Sequence, residues 1–273
     1  MDIPKKILSD GFEIPIIGFG TWQLKGKQCI NVLKKALEIG YRHIDTAYAY
    51  YNQKQVGEMI KKFPRHEIFL TTKLWRDHLD PKKIEWACDF CLKELQLDYI
   101  DLFLIHWPNR EKPMEDIAYE MLRLKEKGKI KIFGVSNYTI HHLQNLLSQK
   151  IDITVNQVEY HPYCNQEDLL TFCKKYNIVL TAYCPMAHGE ITTDPVLEDI
   201  GQKHKKSAGQ VSLRWLVQKG LVIIPKTSSE KHMRENLEIF DFSLSIEEME
   251  KIDSLNDKKI KRIIQPDFHE FNY

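Results

Sequence analysis

Apolar and polar positions alternate along this chain in a regular way. Short apolar runs are each followed by an amphipathic stretch of roughly 10–15 residues, the signature of strand–helix units that assemble a parallel sheet. The runs predict strands at Ile16–Gly20, Arg42–Asp45, Ile68–Lys73, Ile100–His106, Ile130–Val135, Ile153–Gln157, Ile178–Tyr183 and Leu221–Ile224. Between them, apolar residues recur at helical spacing over Gln28–Ile39, Gln53–Lys61, Pro81–Leu95, Met114–Lys127, Ile140–Ser148, Gln166–Lys175, Val196–His204 and Ser207–Lys219. A last helix is predicted at Glu230–Leu237. Strands and helices in this order predict an α/β fold, a single (β/α)8 TIM barrel. Ahead of the first unit, KKIL and EIPII flank Ser9-Asp10-Gly11-Phe12, and the Asp-Gly pair predicts an N-terminal β-hairpin.

The punctuation agrees with these elements. Gly40, Gly128 and Gly220 each follow an amphipathic stretch, where helices end. Pro81 follows Asp80, a helix-start pairing. No linker or composition break divides the chain, so one domain over 1–273 is expected. A doubly wound nucleotide-binding sheet would carry G-x-G-x-x-G after its first strand. Here Gly18-Phe19-Gly20 continues as Thr21-Trp22-Gln23, without the third glycine. Gly18 and Gly20 read instead as turn glycines at a strand end.

Composition narrows the function. Hydrophobic residues make up 43% and charged residues 28%, which speaks against wholesale disorder. Lys and Arg number 39 against 38 Asp and Glu, for a net charge of +1, so no nucleic-acid partner is expected. No apolar run approaches the ~20 residues of a membrane span. The opening MDIPKKILSDG lacks a signal-peptide core, and a cytoplasmic location is the expectation. Of the six cysteines, Cys88 and Cys91 form a C-x-x-C inside the helical WACDFCLKEL. With no second pair at zinc spacing, they read as buried thiols. The histidines show no metal spacing and read as surface or hydrogen-bonded residues, and no metal site is expected. Trp86 and Trp215 fall on helical faces and read as core.

In such a barrel, reactive groups gather at the C-terminal ends of the strands. Polar residues stand just past the apolar runs around the whole ring: Asp45, Lys73, His106, Ser136-Asn137, Asn156-Gln157, Tyr183 and Lys226. Tyr48 and Tyr50 lie in the loop after Asp45, and spacing alone does not choose between them. Asp and Lys at neighbouring strand ends can pair. A Tyr beside that ammonium is expected to have its pKa lowered, because a cation favours phenolate. Tyr as acid, Lys as its tuner, Asp holding Lys and His orienting a carbonyl make a proton-transfer site for carbonyl chemistry. Such a site has no electrons to give, so reduction would need a hydride-donating cofactor.

These residues lie in recognisable motifs. GYRHIDTAYAY (Gly40–Tyr50), TTKLW (Thr71–Trp75), DLFLIHWP (Asp101–Pro108), GVSNY (Gly134–Tyr138), NQVEYHP (Asn156–Pro162) and IIPKTS (Ile223–Ser228) resemble the aldo-keto reductase family, in its order and spacing. The likeness runs from IGFGTW to LEIFDFSLS and is nearest the small prokaryotic members of the 2,5-diketo-gluconate reductase B and methylglyoxal reductase type. By that resemblance Asp45, Tyr50, Lys73 and His106 match the catalytic tetrad, with Tyr50 protonating the carbonyl oxygen. Ser136, Asn137 and Gln157 match the residues holding the nicotinamide carboxamide, and Tyr183 the ring that stacks on it. Lys226 and Thr227 match contacts to the adenosine 2′-phosphate, which implies NADPH, with NADH possible. Glu235 and Asn236 match adenine contacts. Trp22, Trp75 and Trp107 match the walls of the substrate mouth. His232 stands where the family often has Arg, so a fixed charge is missing there, and Lys231 and Arg234 are the neighbours that could supply it.

The resemblance implies an NADPH-dependent reductase of small aldehydes, 2-ketoaldehydes or ketones, monomeric and with no membrane partner. Two alternatives stay open from the residues. One is a non-reducing isomerase or hydrolase, which would need a metal set or paired carboxylates. The other is a cofactor-loaded barrel acting as a non-catalytic or redox-sensing protein. Mouth shape depends on loops near Asn109–Lys112 and His188–Asp194 and on the tail Ile260–Tyr273, which pattern does not predict.

Overall fold

The computed structural model describes residues 3–109 and 111–268; Arg110 and the end of the tail, 269–273, lie outside the described residues. The hairpin forms as β1 (Lys5–Ile7) and β2 (Glu13–Pro15), antiparallel, with Lys5 opposite Pro15. The parallel strands are β3 (Phe19–Gly20), β4 (His43–Asp45), β5 (Phe69–Leu74), β6 (Ile100–Ile105), β7 (Ile130–Ser136), β8 (Val155–Glu159), β9 (Val179–Tyr183) and β10 (Val222–Ile223), paired in sequence order. The sheet closes on itself. Ile17 bridges Ile223 in parallel, Gly18 N–H donates to Ile223 O at 2.8 Å, and Gly20 N–H donates to Pro225 O at 3.0 Å. That closure gives the barrel its eight staves.

Because both faces of each strand are covered, the strands read as continuous apolar runs rather than alternating ones. Leu102 and Leu104 of β6, Ile132 of β7, Val155, Val179 and Val222 fill the barrel, with Phe69, and Leu8 and Ile14 of the hairpin join this inner cluster. Phe103, Ile105, Phe133 and Val135, one residue out of step, face the helix layer. That layer consists of α1 (Gly26–Ile39), α2 (Gln53–Ile60), α3 (Ile84–Leu95), α4 (Met114–Glu126), α5 (Ile140–Ser148), α6 (Glu167–Lys175), α7 (Pro195–His204), α8 (Ala208–Gln218) and α9 (Glu230–Leu237), followed by α10 (Ile246–Asp253) and α11 (Leu255–Lys258). The glycines after α1, α4 and α8 have positive φ: Gly40 123°, Gly128 73° and Gly220 90°.

Several expectations need correction. Gly18 and Gly20 are not turn glycines. They sit in the wall and lack side chains for want of room: a Cβ on Gly18 would lie 2.6 Å from His43 Nδ1, and one on Gly20 would lie 3.2 Å from Ile224 O. Pro81–Lys83 is a separate 3-10 turn before α3, with Asp80 accepting from Lys82 N–H. Trp86 is 54% exposed, its ring against His78 and Phe90 rather than in the core. Trp215 is fully buried as expected. Helix α10 was not foreseen, although Ser245 and Glu248 form a capping box at its start. Cys88 and Cys91 are buried free thiols on α3, pushed up to about 12 by burial, and therefore inert.

Gly57 shows how tightly the helix layer is set. A Cβ there would lie 2.0 Å from the Leu95 carbonyl oxygen, where α2 crosses α3. Ala favours a helix over Gly by at most about 1 kcal/mol. Overpacking against a backbone carbonyl costs about 1–3 kcal/mol. Gly57→Ala is thus expected to destabilise the protein, seen as a lower urea midpoint. An unchanged or higher midpoint would mean that the two helices separate freely.

Candidate active site

The strand registers bring the polar strand ends to one rim. Gly20 aligns with Asp45, Asp45 with Thr71, Lys73 with Leu104, and Ser136 with Gln157. Asp45 ends β4, Lys73 stands near the end of β5, and His106 follows β6. Tyr50 closes a 3-10 turn, Tyr48–Tyr50, after which Tyr51 turns left-handed at φ 56°. Lys73 is fully buried. Its ammonium donates to Asp45 Oδ1 at 2.5 Å and to Thr46 O at 2.9 Å. Asp45 Oδ2 accepts from Gln157 Nε2 at 2.8 Å. A buried charge pair survives only when both partners keep hydrogen bonds of this kind. The Tyr50 ring lies 5.1 Å from the ammonium and 5.8 Å from the His106 ring. Tyr48 packs elsewhere, against His78 and Phe90. Geometry thus separates the two tyrosines that spacing left equivalent.

The site's electrostatics overturn one expectation. The Tyr50 phenol is pushed well above its ordinary range, by burial first and then by the Asp45 carboxylate and Cys184. The nearby Lys73 ammonium favours the phenolate but does not outweigh these effects, because its charge is met by Asp45 at contact distance. Burial also pulls the Lys73 ammonium down, opposed by Asp45. His106 is driven well below the ordinary imidazole range by burial and by Lys73. Tyr50 is therefore a neutral phenol and His106 a neutral imidazole, which suits them to donate hydrogen bonds to one oxygen.

Both rings line a cavity of about 1170 Å³ at this rim. Its walls include Trp22, Trp75 and Trp107, with Trp75 edge-on to His106 at 5.3 Å. Asn137, Gln157, Tyr183, Lys226, Thr227, His232, Glu235 and Asn236 also line it. Ser136 does not. It stands behind Asn137, its hydroxyl donating to Gln157 O at 2.8 Å while accepting from Asn137 Nδ2 at 3.1 Å. Asn137, left-handed at φ 63°, also donates to His106 O and accepts from the Tyr183 hydroxyl. The strand-end amides are thus one network rather than separate contacts.

At the far end, Lys226 is exposed and has no carboxylate partner among the described residues. Lys231 lines the cavity, 3.6 Å from Glu235. Arg234 does not line it and pairs with Glu230 at 2.9 Å, so it does not stand in for the missing Arg at His232. The start of α8 supplies Ser207 to Gln210, with Gly209 bare of side chain beside the Met186 sulfur. Several wall residues escaped sequence analysis: Tyr51, Cys184, Met186, Thr192, and Ile264, Pro266 and Phe268 of the tail. Thr192 and the tail residues fall in stretches whose path pattern does not predict, whereas Tyr51, Cys184 and Met186 carried no such signal. His188 stacks on Trp22 at 5.5 Å, and Phe268 meets Trp107 at 5.6 Å. No helix among the described residues is long and apolar enough to cross a membrane.

Known proteins carry the same pattern. Residues 16–257 match the family model described as Aldo/keto reductase family. A Bacillus subtilis glyoxal reductase is 43% identical over 253 residues, covering 91% of either chain. A glycerol 2-dehydrogenase (NADP(+)) of Saccharomyces cerevisiae is 39% identical over 300 residues, covering 97% of this chain and 95% of its own. The crystal structure of an aldo-keto reductase from a Medee basin deep-sea metagenome library superposes with a TM-score of 0.91 at 41% identity, over 95% of this chain and 97% of that one. The barrel closed at Ile17–Ile223 and the match across nearly the whole chain agree, and this chain belongs to the aldo/keto reductase family.

Proposed function

We propose that this protein is an NADPH-dependent reductase of small aldehydes and 2-ketoaldehydes. One observation carries the reading: a neutral phenol and a neutral imidazole face the same aromatic-walled cavity, whose other end holds the Lys226 ammonium, without a carboxylate partner among the described residues. At about 1170 Å³ the cavity exceeds what a small carbonyl needs, and its lining runs on to Lys226, Glu235 and Asn236, which leaves room for a dinucleotide as well. We propose further that it is a monomer of one domain and works in the cytoplasm.

Asn137, Gln157 and Tyr183 would hold the nicotinamide end of the cofactor, supported from behind by Ser136. Lys226, Thr227 and Lys231 would hold the phosphate end, and Glu235 and Asn236 the adenine. When bound, the reduced nicotinamide supplies a hydride to the carbonyl carbon. His106 orients the carbonyl oxygen. Tyr50 gives that oxygen its proton, yielding the alcohol, and the Lys73 ammonium steadies the phenolate until solvent reprotonates it. The aromatic walls exclude water around the reacting carbonyl. The rival hydrolase or isomerase reading lacks its carboxylate pair: Asp45 is engaged by Lys73 and Gln157, and Glu235 sits by Lys231 at the other end.

A panel of aldehydes assayed with NADPH and with NADH tests the proposal. Turnover of methylglyoxal or glyoxal with NADPH is expected, and no oxidation of either cofactor by any carbonyl would refute it. The 2′-phosphate role of Lys226 has its own measure. A charge-assisted hydrogen bond is worth about 1.5–3 kcal/mol, so Lys226→Ala should weaken NADPH binding roughly 10- to 100-fold and NADH binding little. His232→Arg should tighten NADPH selectively by supplying the fixed fork that imidazole lacks. Equal losses of both cofactors in Lys226→Ala would remove the phosphate contact from that residue.

A further inference from the structure

Glu159 is the last residue of β8, fully buried, and it takes no part in the chemistry above. Its carboxylate accepts three N–H groups. Ile263 N–H reaches Oε1 at 2.5 Å, Ile264 N–H reaches Oε2 at 2.8 Å, and His161 Nε2 lies 2.9 Å from Oε1. His161, equally buried, accepts the Tyr163 amide on Nδ1 at 3.3 Å, so Nε2 carries the proton and points at the carboxylate. Together with Cys164 these residues are close enough to hold a metal ion. Their donor atoms already have partners, however: Glu159 is saturated by N–H groups and His161 uses both ring nitrogens.

Two of the three donors belong to the segment after α11, where Ile263 also packs on the core and Arg76 lies over the Phe268 ring. Lys261 N–H donates to Tyr163 O at 2.8 Å, and the Lys261 side chain meets Glu190 at the exposed surface. Immediately beyond the clamp, Ile264, Pro266 and Phe268 enter the cavity wall. Phe268 stands edge-on to Trp107 and to Trp75, and so narrows the mouth where the substrate must pass.

We propose that Glu159 is a positioning residue for the substrate pocket: its carboxylate, braced by His161, clamps the main chain at Ile263 and Ile264 and so sets where Phe268 closes the mouth. A carboxylate is suited to the task because it only accepts, and two backbone amides plus an imidazole N–H fill it without a competing donor. Gln at 159 would turn an amide donor toward an N–H group and lose one bond. Charge-assisted hydrogen bonds of this kind shift a local opening equilibrium roughly 10- to 100-fold.

The test is Glu159→Gln in the full chain, read in two ways. The first does not involve activity: amide exchange at Ile263 and Ile264 should accelerate about tenfold or more in the variant. The second rests on the reductase reading: KM for a bulky aldehyde such as a naphthaldehyde should change by roughly tenfold while kcat for methylglyoxal stays near wild type. Should Glu159→Gln fail to fold, Ile263→Pro, at a residue that does not line the cavity, removes one of the same hydrogen bonds from the segment's side and should give the same selective change. Unchanged exchange, or equal losses for both aldehydes, would overturn the proposal. An enzyme that reduces neither aldehyde but shows the faster exchange would keep the clamp and refute the reductase reading instead.

Discussion

Tyr50→Phe is expected to lower reductase turnover roughly 10²- to 10⁴-fold, the range lost when a general acid is removed, with NADPH binding unchanged. The phenol faces the cavity close to both the Lys73 ammonium and the His106 ring. Tyr48→Phe is the control, since that ring packs against His78 and Phe90, and it should retain wild-type turnover. The pH dependence carries a sign. With the Tyr50 pKa raised, the phenol stays protonated, and reduction falls only as pH climbs toward that raised value. With the His106 pKa lowered, the imidazole stays neutral, and no loss enters from it until pH drops below the ordinary imidazole range. Reduction should therefore be flat over roughly pH 6–8, whereas oxidation of the alcohol, which needs the phenolate, should rise with pH. A Tyr50→Phe enzyme retaining more than about a tenth of wild-type turnover would move the acid elsewhere.

That flat profile opposes what the sequence suggests for Tyr50, and the reason is physical. A sequence places an ammonium beside a phenol but says nothing of the distance between them, of burial, or of what else holds the ammonium. Here Asp45 takes the Lys73 charge, and burial of Tyr50 decides the sign. The ring of polar strand ends was legible because a barrel gathers those ends, whatever fills its loops. The cavity floor at Asp45, Lys73 and His106 therefore followed from strand placement. Its sides did not. Cys184, Met186 and Phe268 come from loops whose path depends on contacts such as the Glu159 clamp, formed between residues 104 and 105 positions apart in the chain. Gly18 and Gly20 show the same limit on a smaller scale. A glycine chosen for its φ and one chosen for its lack of Cβ look identical until the neighbours, His43 and Ile224, are in place.

Lys73→Met should damage both stability and activity, and the two losses can be separated. Lys73 is buried with its ammonium on Asp45 and Thr46 O. Removing one partner of a buried pair leaves the other charge stranded, at about 3–5 kcal/mol. Gln157 Nε2 still donates to Asp45 Oδ2, which places the expected loss toward the lower end of that range. Asp45→Asn combined with Lys73→Met removes the stranded charge as well, and most of the stability should return, read as recovery of the urea midpoint. Turnover should not return. Without the ammonium, nothing cationic at the cavity floor steadies the phenolate that Tyr50 becomes when it gives up its proton. A double variant that regained both stability and turnover would show that Lys73 only props up Asp45. A single Lys73→Met variant with a wild-type midpoint and wild-type turnover would show that the buried pair is neither structural nor catalytic. Recovery of the midpoint alone, with turnover still down, is the outcome that ties Lys73 to the proton leaving Tyr50.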